Sequence, residues 1–332
     1  MTWCSVAEVP TYRDVEAAAA RLNGVVARTP LLEAALLNEV VGARVLVKAE
    51  MLQKTGAFKL RGAWNRLSQL SDDEKSHGVL CYSSGNHAQA VAASAILAGT
   101  TATVLMPSTA PTLKAARCRA FGAGVVLHEG DRPSMVARAT EMANDEGRVL
   151  VPPFDDPDII AGQGTVGLEI AEGMTARNLK PDAVVIPCGG GGLAAGICIA
   201  IHEHFPDAAL YGVEPAGFDD TRRSLEAGTR MANEPGARTL CDALMVPEPG
   251  ALTFAINARL LTGIVTVTDA EVRLAMAAGF EHLKVVAEPG GAAALAAVLA
   301  GKLDLVGKTV VVVASGGNVD PAVFAEAIAH QP

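Results

Sequence analysis

No block of lysine or arginine interrupts this 332-residue chain, and its formal net charge is −9. That balance argues against a nucleic acid or an acidic membrane surface as partner. No stretch reaches the ~18 apolar residues of a membrane span. The alanine-rich segments LAAGICIAIH and GGAAALAAVLAG are too short for one and read as buried helices. The N-terminal MTWCSVAEVPTYRDVEAA lacks a basic region followed by an apolar run, so no signal peptide is expected there. The cysteines Cys4, Cys81, Cys118, Cys188, Cys198 and Cys241 are scattered without a CxxC pair. Free, mostly buried thiols in a reducing compartment follow, and a cytoplasmic protein is the expectation. Aromatics are scarce at 4%, whereas glycines number 33. That composition suits an α/β protein with tight turns and binding loops made from backbone.

What is present in quantity is apolar: 50% of the residues, ample for one large domain or two medium ones. Short β-branched runs recur as RVLVKAE (44–50), GVLCYSS (78–84), TATVLMP (101–107), GVVLHEG (124–130), RVLVPPF (148–154), AVVIPC (183–188), ALYGVEP (209–215), IVTVTD (264–269) and TVVVVASGG (309–317). Most are continuously hydrophobic rather than alternating, as strands covered on both faces are. Helix-length segments such as NHAQAVAASAILAG and DAEVRLAMAAGFEHLK lie between them. This alternation predicts parallel sheets. The strands are too many for one small sheet. The expectation is two lobes around a cleft: a small domain over 78–154, and a large one built from 1–77 and 155–332. Loops at the carboxyl ends of the strands should face the cleft.

Three of those loops carry chemistry. CGGGGLAAG (188–196) follows a strand and opens a helix. Its glycines let backbone approach an anion, and the helix start adds free N–H groups, so a phosphate fits. A tight strand–helix turn is the plainer alternative. A second is a dinucleotide site: Gly190, Gly192 and Ala195 match GxGxxA, with Glu214 ending the next strand. In YSSGNHAQAVA (82–92), Ser83, Ser84, Asn86 and His87 surround Gly85. They suit a carboxylate cradle, or simple helix capping with a packed histidine. In ASGGNVD (314–320), Ser315 projects at a strand end beside two glycines, unless this is merely a glycine turn. A lysine, Lys59, sits between Phe58 and Leu60 in KTGAFKLRGAWNR, where a surface lysine would want water. Pyridoxal phosphate would use every one of these parts: a lysine for its aldehyde, N–H donors for its phosphate, and partners for its ring hydroxyl and ring nitrogen.

The segments TGAFKLRGA, SSGNHAQAVA, PPFDDPDIIAGQGT, GGGGLAAG, VEP, VAEPGGAAALA and SGGNVD occur in that order along almost the whole chain. In this the sequence resembles the fold-type II pyridoxal-phosphate enzymes, specifically the threonine/serine dehydratase and serine racemase group. The nearest likeness is to threonine dehydratases without a regulatory domain. The resemblance implies the two-lobed, tryptophan synthase β-like α/β fold, each lobe a twisted, mostly parallel sheet flanked by helices. It implies that Lys59 holds the cofactor and later acts as the base at Cα, and that Phe58 packs beside the cofactor ring. Asn86 would bond the ring hydroxyl. Gly189, Gly190, Gly191, Gly192 and the Leu193 backbone would hold the phosphate. Ser315 would meet the pyridine nitrogen. Ser83, Ser84, Asn86 and His87 would frame the substrate, with Ser84 where racemases place an opposite-face acid/base. Magnesium-dependent members suggest Glu214, the Phe218 carbonyl and Asp220 as cation ligands, which suit a hard divalent ion. Solvated acids near a strand end are the alternative. The implied activity is ammonia loss from L-threonine or L-serine by a homodimer or homotetramer. A β-hydroxyaspartate dehydratase or a serine racemase is the alternative within the family, and a nicotinamide-dependent oxidoreductase the alternative outside it. Two departures stand out. Many relatives have serine where this chain has Ala57, and a subgroup acting on β-hydroxyaspartate shares the alanine. The chain also ends soon after SGGNVD, so isoleucine feedback through an appended domain is not expected.

Overall fold

The computed structural model describes residues 9–329, except 111 and 235 and the side chain of 113. Cys4 and the first residues of the N-terminal stretch considered above lie outside the described residues. Every β-branched run forms a strand. The larger sheet holds β1 (Leu31–Leu32), β2 (Arg44–Ala49), β7 (Ala183–Pro187), β8 (Ala209–Pro215), β9 (Gly263–Val267) and β10 (Thr309–Ala314). The smaller holds β3 (Val79–Tyr82), β4 (Ala102–Pro107), β5 (Gly124–His128) and β6 (Val149–Leu150). Their orders are β1-β2-β10-β7-β8-β9 and β5-β4-β3-β6. All neighbours run parallel except β1, which pairs antiparallel with β2 at the edge. Strand β1 has no counterpart among the predicted runs, because two residues are too few to show a period. Strand β6 is shorter than its run, since Pro152 and Pro153 cannot donate to a ladder.

The unbroken TVVVV of β10 has a direct cause. Val310 and Val312 pack into a core with Ala292–Ala297 and with Val272, Ala275 and Met276 on one face. Val311 and Val313 pack on the other against Val166, Ile170, Ile197 and Ile201. Both faces are covered, so no position calls for a polar residue. The small sheet is built likewise. Val79, Cys81, Val104 and Met106 face the helix Asn86–Ala98, while Leu80 and Leu105 face Met135 and Ala139. Cys81, Cys118, Cys188, Cys198 and Cys241 are free and buried, as expected.

The helix that starts with Lys59 (Lys59–Leu67) is fixed from two sides. It lies against the helix Pro157–Thr175 at a glycine crossing: a Cβ on Gly162 would come within 2.6 Å of the Gly62 Cα. Only glycines at that crossing let the two backbones meet. Its second anchor is Arg61, which is fully buried and clamped between Glu50 and Glu169. Arg61 donates through Nε and Nη2 to the two Glu50 oxygens, both at 2.8 Å, and through Nη1 to Glu169 at 2.7 Å. Lys48 completes the cluster, 2.5 Å from Glu169. Two cations and two carboxylates balance inside the core.

Candidate active site

The loops at the strand ends meet in one cavity. Its wall includes Phe58, Lys59, Ser83, Ser84, Asn86, His87, Gly189 to Leu193 and Ser315, so every residue expected at the cofactor and substrate is present. The TGAF and SGGN segments are stitched together there. Phe58 N–H donates to the Ser315 carbonyl at 3.1 Å, Gly317 N–H to the Gly56 carbonyl at 2.8 Å, and Asn318 Nδ2 to the Thr55 carbonyl at 2.8 Å. Ala57 is fully buried in a bridge with Gly316 and does not line the cavity. An alanine for serine exchange there reaches a bound molecule only through the neighbouring backbone.

Lys59 opens its helix at the cavity wall. Its Nζ donates to the Pro153 carbonyl at 2.5 Å and lies 5.1 Å from the Phe58 ring centroid. Among the described residues it forms no ion pair. Burial first, and the Arg132 charge second, bring its amine from the ordinary lysine value down to about 7. A neutral amine is the form that can attack a carbonyl or take a proton.

Two further helices begin at the cavity without a side-chain cap: Asn86–Ala98 after Gly85, and Gly192–His204 after Gly191. The capping alternative for the serine-rich loop is therefore not what the fold uses; Ser83 Oγ instead accepts from Gly85 N–H at 3.2 Å. The glycine loop is held from behind. Thr253 Oγ1 donates to the Gly190 carbonyl at 2.6 Å and Asn257 Nδ2 to the Gly191 carbonyl at 3.2 Å. Gly191 has φ +89, and a Cβ on it would meet Asn257 at 2.7 Å, so only glycine fits. With the carbonyls tied back, the first N–H groups of the helix are left for an anion. The PPFDDP segment supports the same place: Asp155 caps Ala251, Leu252 and Thr253 N–H, starting the helix that carries Thr253 and Asn257.

Asn86 is locked in place. It donates through Nδ2 to Glu288 at 2.6 Å and accepts from Asn318 at 2.8 Å. Glu288 was not among the expected residues, although it sits in the VAEPGG motif; an acid ahead of an alanine-rich helix was its only signal. Burial pushes its carboxyl up to about 8, with the Asn86 hydrogen bond opposing. His87 lines the cavity but is buried and neutral: burial, then the Lys59 charge, push it down to about 3. Its Nε2 faces the Val151 carbonyl at 3.0 Å, so that N–H is spent. Ser83, Ser84 and the helix N–H groups remain as donors for a carboxylate.

Glu214, Phe218 and Asp220 lie elsewhere. None of them lines the cavity. Glu214 is fully buried and accepts Thr221 N–H at 2.9 Å and Arg222 N–H at 3.0 Å. So occupied, and away from the glycine loop's cavity, it is not placed for a ribose hydroxyl. Burial, then Asp220, push Glu214 up to about 8; burial raises Asp220 to about 6. The Oδ2 of Asp220 is buried without a partner. Among the described residues no group of three or more His, Cys, Asp or Glu side chains could hold a metal, and no helix is long and apolar enough to cross a membrane.

Comparison with known proteins agrees with this geometry. Residues 22–316 match the family described as pyridoxal-phosphate dependent enzyme. The chain is 40% identical over 321 residues to an L-threo-3-hydroxyaspartate ammonia-lyase of Saccharomyces cerevisiae, covering 96% of this chain and 97% of that one. It is 42% identical over 310 residues to an L-threonine ammonia-lyase of Thermotoga maritima, covering 93% and 76%. A solved serine racemase from maize superposes with a TM-score of 0.90 at 32% identity, covering 97% of this chain and 98% of that one. A solved threonine deaminase superposes with a TM-score of 0.89 at 41% identity, covering 94% and 99%. The chain belongs to the family of pyridoxal-phosphate dependent enzymes, with the two-lobed fold-type II architecture of parallel sheets flanked by helices.

Proposed function

We propose that this protein is a pyridoxal-phosphate-dependent ammonia-lyase acting on 2-amino-3-hydroxy acids, with L-threonine giving 2-oxobutanoate and ammonia. The observation that carries it is Lys59: a half-buried amine, near neutrality in pKa and without an acidic partner among the described residues, in one cavity with an uncapped glycine loop. The cofactor, when bound, withdraws electrons from Cα and so weakens its C–H bond. Lys59 would hold the cofactor through its aldehyde and would serve as the base at Cα. Gly189, Gly190, Gly191, Gly192 and the Leu193 N–H would hold its phosphate, Asn86 its ring hydroxyl and Ser315 its ring nitrogen, and Phe58 would pack beside the ring. Ser83 and Ser84 would orient the substrate carboxylate, and Ser84 would act as the acid/base on the face opposite Lys59. The hydroxyl on Cβ leaves as water, and hydrolysis of the resulting imine releases ammonia.

The amine's pKa gives a direct check. Only unprotonated Lys59 captures the aldehyde, so capture by cofactor-free protein should accelerate as pH rises through about 7 and then level off. An ordinary lysine, with its pKa near ~10.4, would keep accelerating far beyond that. Stopped-flow absorbance reads the rate; a curve still climbing at about pH 9 would contradict the assigned environment.

The divalent cation belongs to the same proposal. Glu214, the Phe218 carbonyl and Asp220 would hold magnesium, which would compensate two neighbouring buried carboxylates and engage the unpartnered Asp220 oxygen. The 78–154 segment as a small domain, a homodimer or homotetramer, and a cytoplasmic location complete the reading. The experiment is a panel of L-threonine, L-serine, D-serine and hydroxyaspartate isomers on cofactor-loaded protein. It is run with and without magnesium, with chiral product analysis and light scattering for subunit number. A 2-oxo acid and ammonia are expected; inverted amino acid as sole product would instead make it a racemase. No turnover of any member would end the proposal, and identical stability and rates with and without magnesium would remove the cation.

A further inference from the structure

The cavity wall carries a cation that the ammonia-lyase mechanism leaves unused. Arg132 opens the helix Arg132–Asp145 at the end of the small sheet and is half-buried. Its one hydrogen bond among the described residues is long, from Nη1 to the Met245 carbonyl at 3.4 Å. It has no carboxylate partner among the described residues. The acids around it are committed elsewhere. Asp131 accepts from Ser134 N–H at 2.9 Å, Asp242 pairs with Lys114 at 2.5 Å, and Glu288 accepts from Asn86. Arg117 also lines the wall, on the helix that carries Lys114, but Arg132 is the arginine whose charge is felt at Lys59. Desolvation costs Arg132 enough to lower its pKa, with only Tyr82 opposing. A cation held partly out of water in the cavity wall that also carries Lys59, without a counter-charge among the described residues, is an incomplete pair.

We propose that Arg132 completes that pair with a second carboxylate on the substrate, so that the site selects 3-hydroxyaspartate over threonine and serine. This rests on the ammonia-lyase reading and narrows its substrate class. The α-carboxylate goes to Ser83, Ser84 and the start of the Asn86 helix. The acid on Cβ faces Arg132, whose planar fork can grip it with two hydrogen bonds. Threonine offers a methyl there and serine a hydrogen, and either leaves the guanidinium unpaired. Discrimination by an unpaired buried polar group exceeds that from one methyl in an apolar pocket. The chemistry is unchanged. Cα loses its proton to Lys59, the Cβ–O bond breaks and water leaves, and one water returns to hydrolyse the imine. 3-Hydroxyaspartate therefore gives 2-oxobutanedioate and ammonia, with no oxidant or reductant needed.

The test uses the cofactor-loaded protein and its Arg132→Met and Arg132→Lys variants. Turnover of L-threo-3-hydroxyaspartate and of L-threonine is measured for each. The ratio of the two kcat/KM values should fall by about 100-fold in R132M and recover partly in R132K. A second measurement does not depend on turnover. L-Aspartate has the second carboxylate but no β-hydroxyl to lose, and L-2-aminobutyrate has neither. Titrating the visible absorbance should show wild type binding L-aspartate at least about 10-fold tighter than L-2-aminobutyrate, and R132M losing that preference. An unchanged ratio in R132M, or equal loss on both substrates, overturns the assignment. So does loss of cofactor from R132M, which would give the arginine to the phosphate instead. If no hydroxy acid is turned over but L-aspartate is still preferred in an Arg132-dependent way, the lyase reading fails while the carboxylate subsite stands.

Discussion

Replacing Lys59 with alanine should lower kcat at least about 1000-fold while leaving the protein as stable as before, within about 1 kcal/mol. The activity half follows from two roles in one amine, capture of the cofactor aldehyde and proton removal at Cα. The stability half follows from the environment. Among the described residues the Lys59 ammonium has a single hydrogen bond, to the Pro153 carbonyl, and no carboxylate, and burial already holds it toward its neutral form. Its removal leaves no orphaned acid. Steady-state ammonia release together with urea unfolding of the cofactor-free protein checks both halves. A variant keeping more than about a tenth of wild-type activity would remove Lys59 from the mechanism.

Two residues further along, the expectation reverses. Arg61→Met should cost about 3–5 kcal/mol of stability, because it leaves Glu50 and Glu169 to share the single charge of Lys48 inside the core. The double variant Arg61→Met/Glu50→Met removes one charge of each sign and leaves Lys48 with Glu169. It should regain a large part of the loss, with a coupling of at least about 1 kcal/mol in the double-mutant cycle. Additive losses, measured by urea denaturation, would show that the cluster does not act as a unit. Activity should follow stability here, since Arg61 holds the Lys59 helix and does not line the cavity. The contrast between these basic residues is a physical one. Arg61 is fully buried and Lys59 half-buried, and among the described residues Arg61 meets four carboxylate oxygens and Lys59 none. The paired one anchors the helix, and the unpaired one is free to react.

Much of this could be read along the chain. Continuous β-branched runs betrayed strands covered on both faces, and both sheets consist of them apart from β1. Glycine-bearing strand ends marked the loops that meet in the cavity, and the apolar neighbours of Lys59 marked a desolvated amine. Other features left little or no trace. Glu288 belongs to the site only because β10 brings Gly316 beside Asn86 and the Glu288 helix. The capping of the Ala251 helix by Asp155 joins residues about a hundred positions apart. His87 looked like a donor for the substrate, yet its Nε2–H faces Val151 and burial keeps it neutral.

The sequence by itself determined the class of fold, and it marked Lys59 and the glycine-bearing loops that meet in the cavity, because these depend on local patterns: hydrophobic period, glycine before a helix start, a cation among apolar residues. Only the tertiary structure decided which charges are cancelled. Lys48 and Arg61 are neutralised by Glu50 and Glu169, and Lys114 by Asp242, while Arg132 lines the cavity without a carboxylate partner among the described residues. Coulombic pairing acts through space with a strength set by burial and by distances of a few ångströms. No spacing along the chain encodes it, and so the group we assign to choosing the substrate became visible only once the chain had folded.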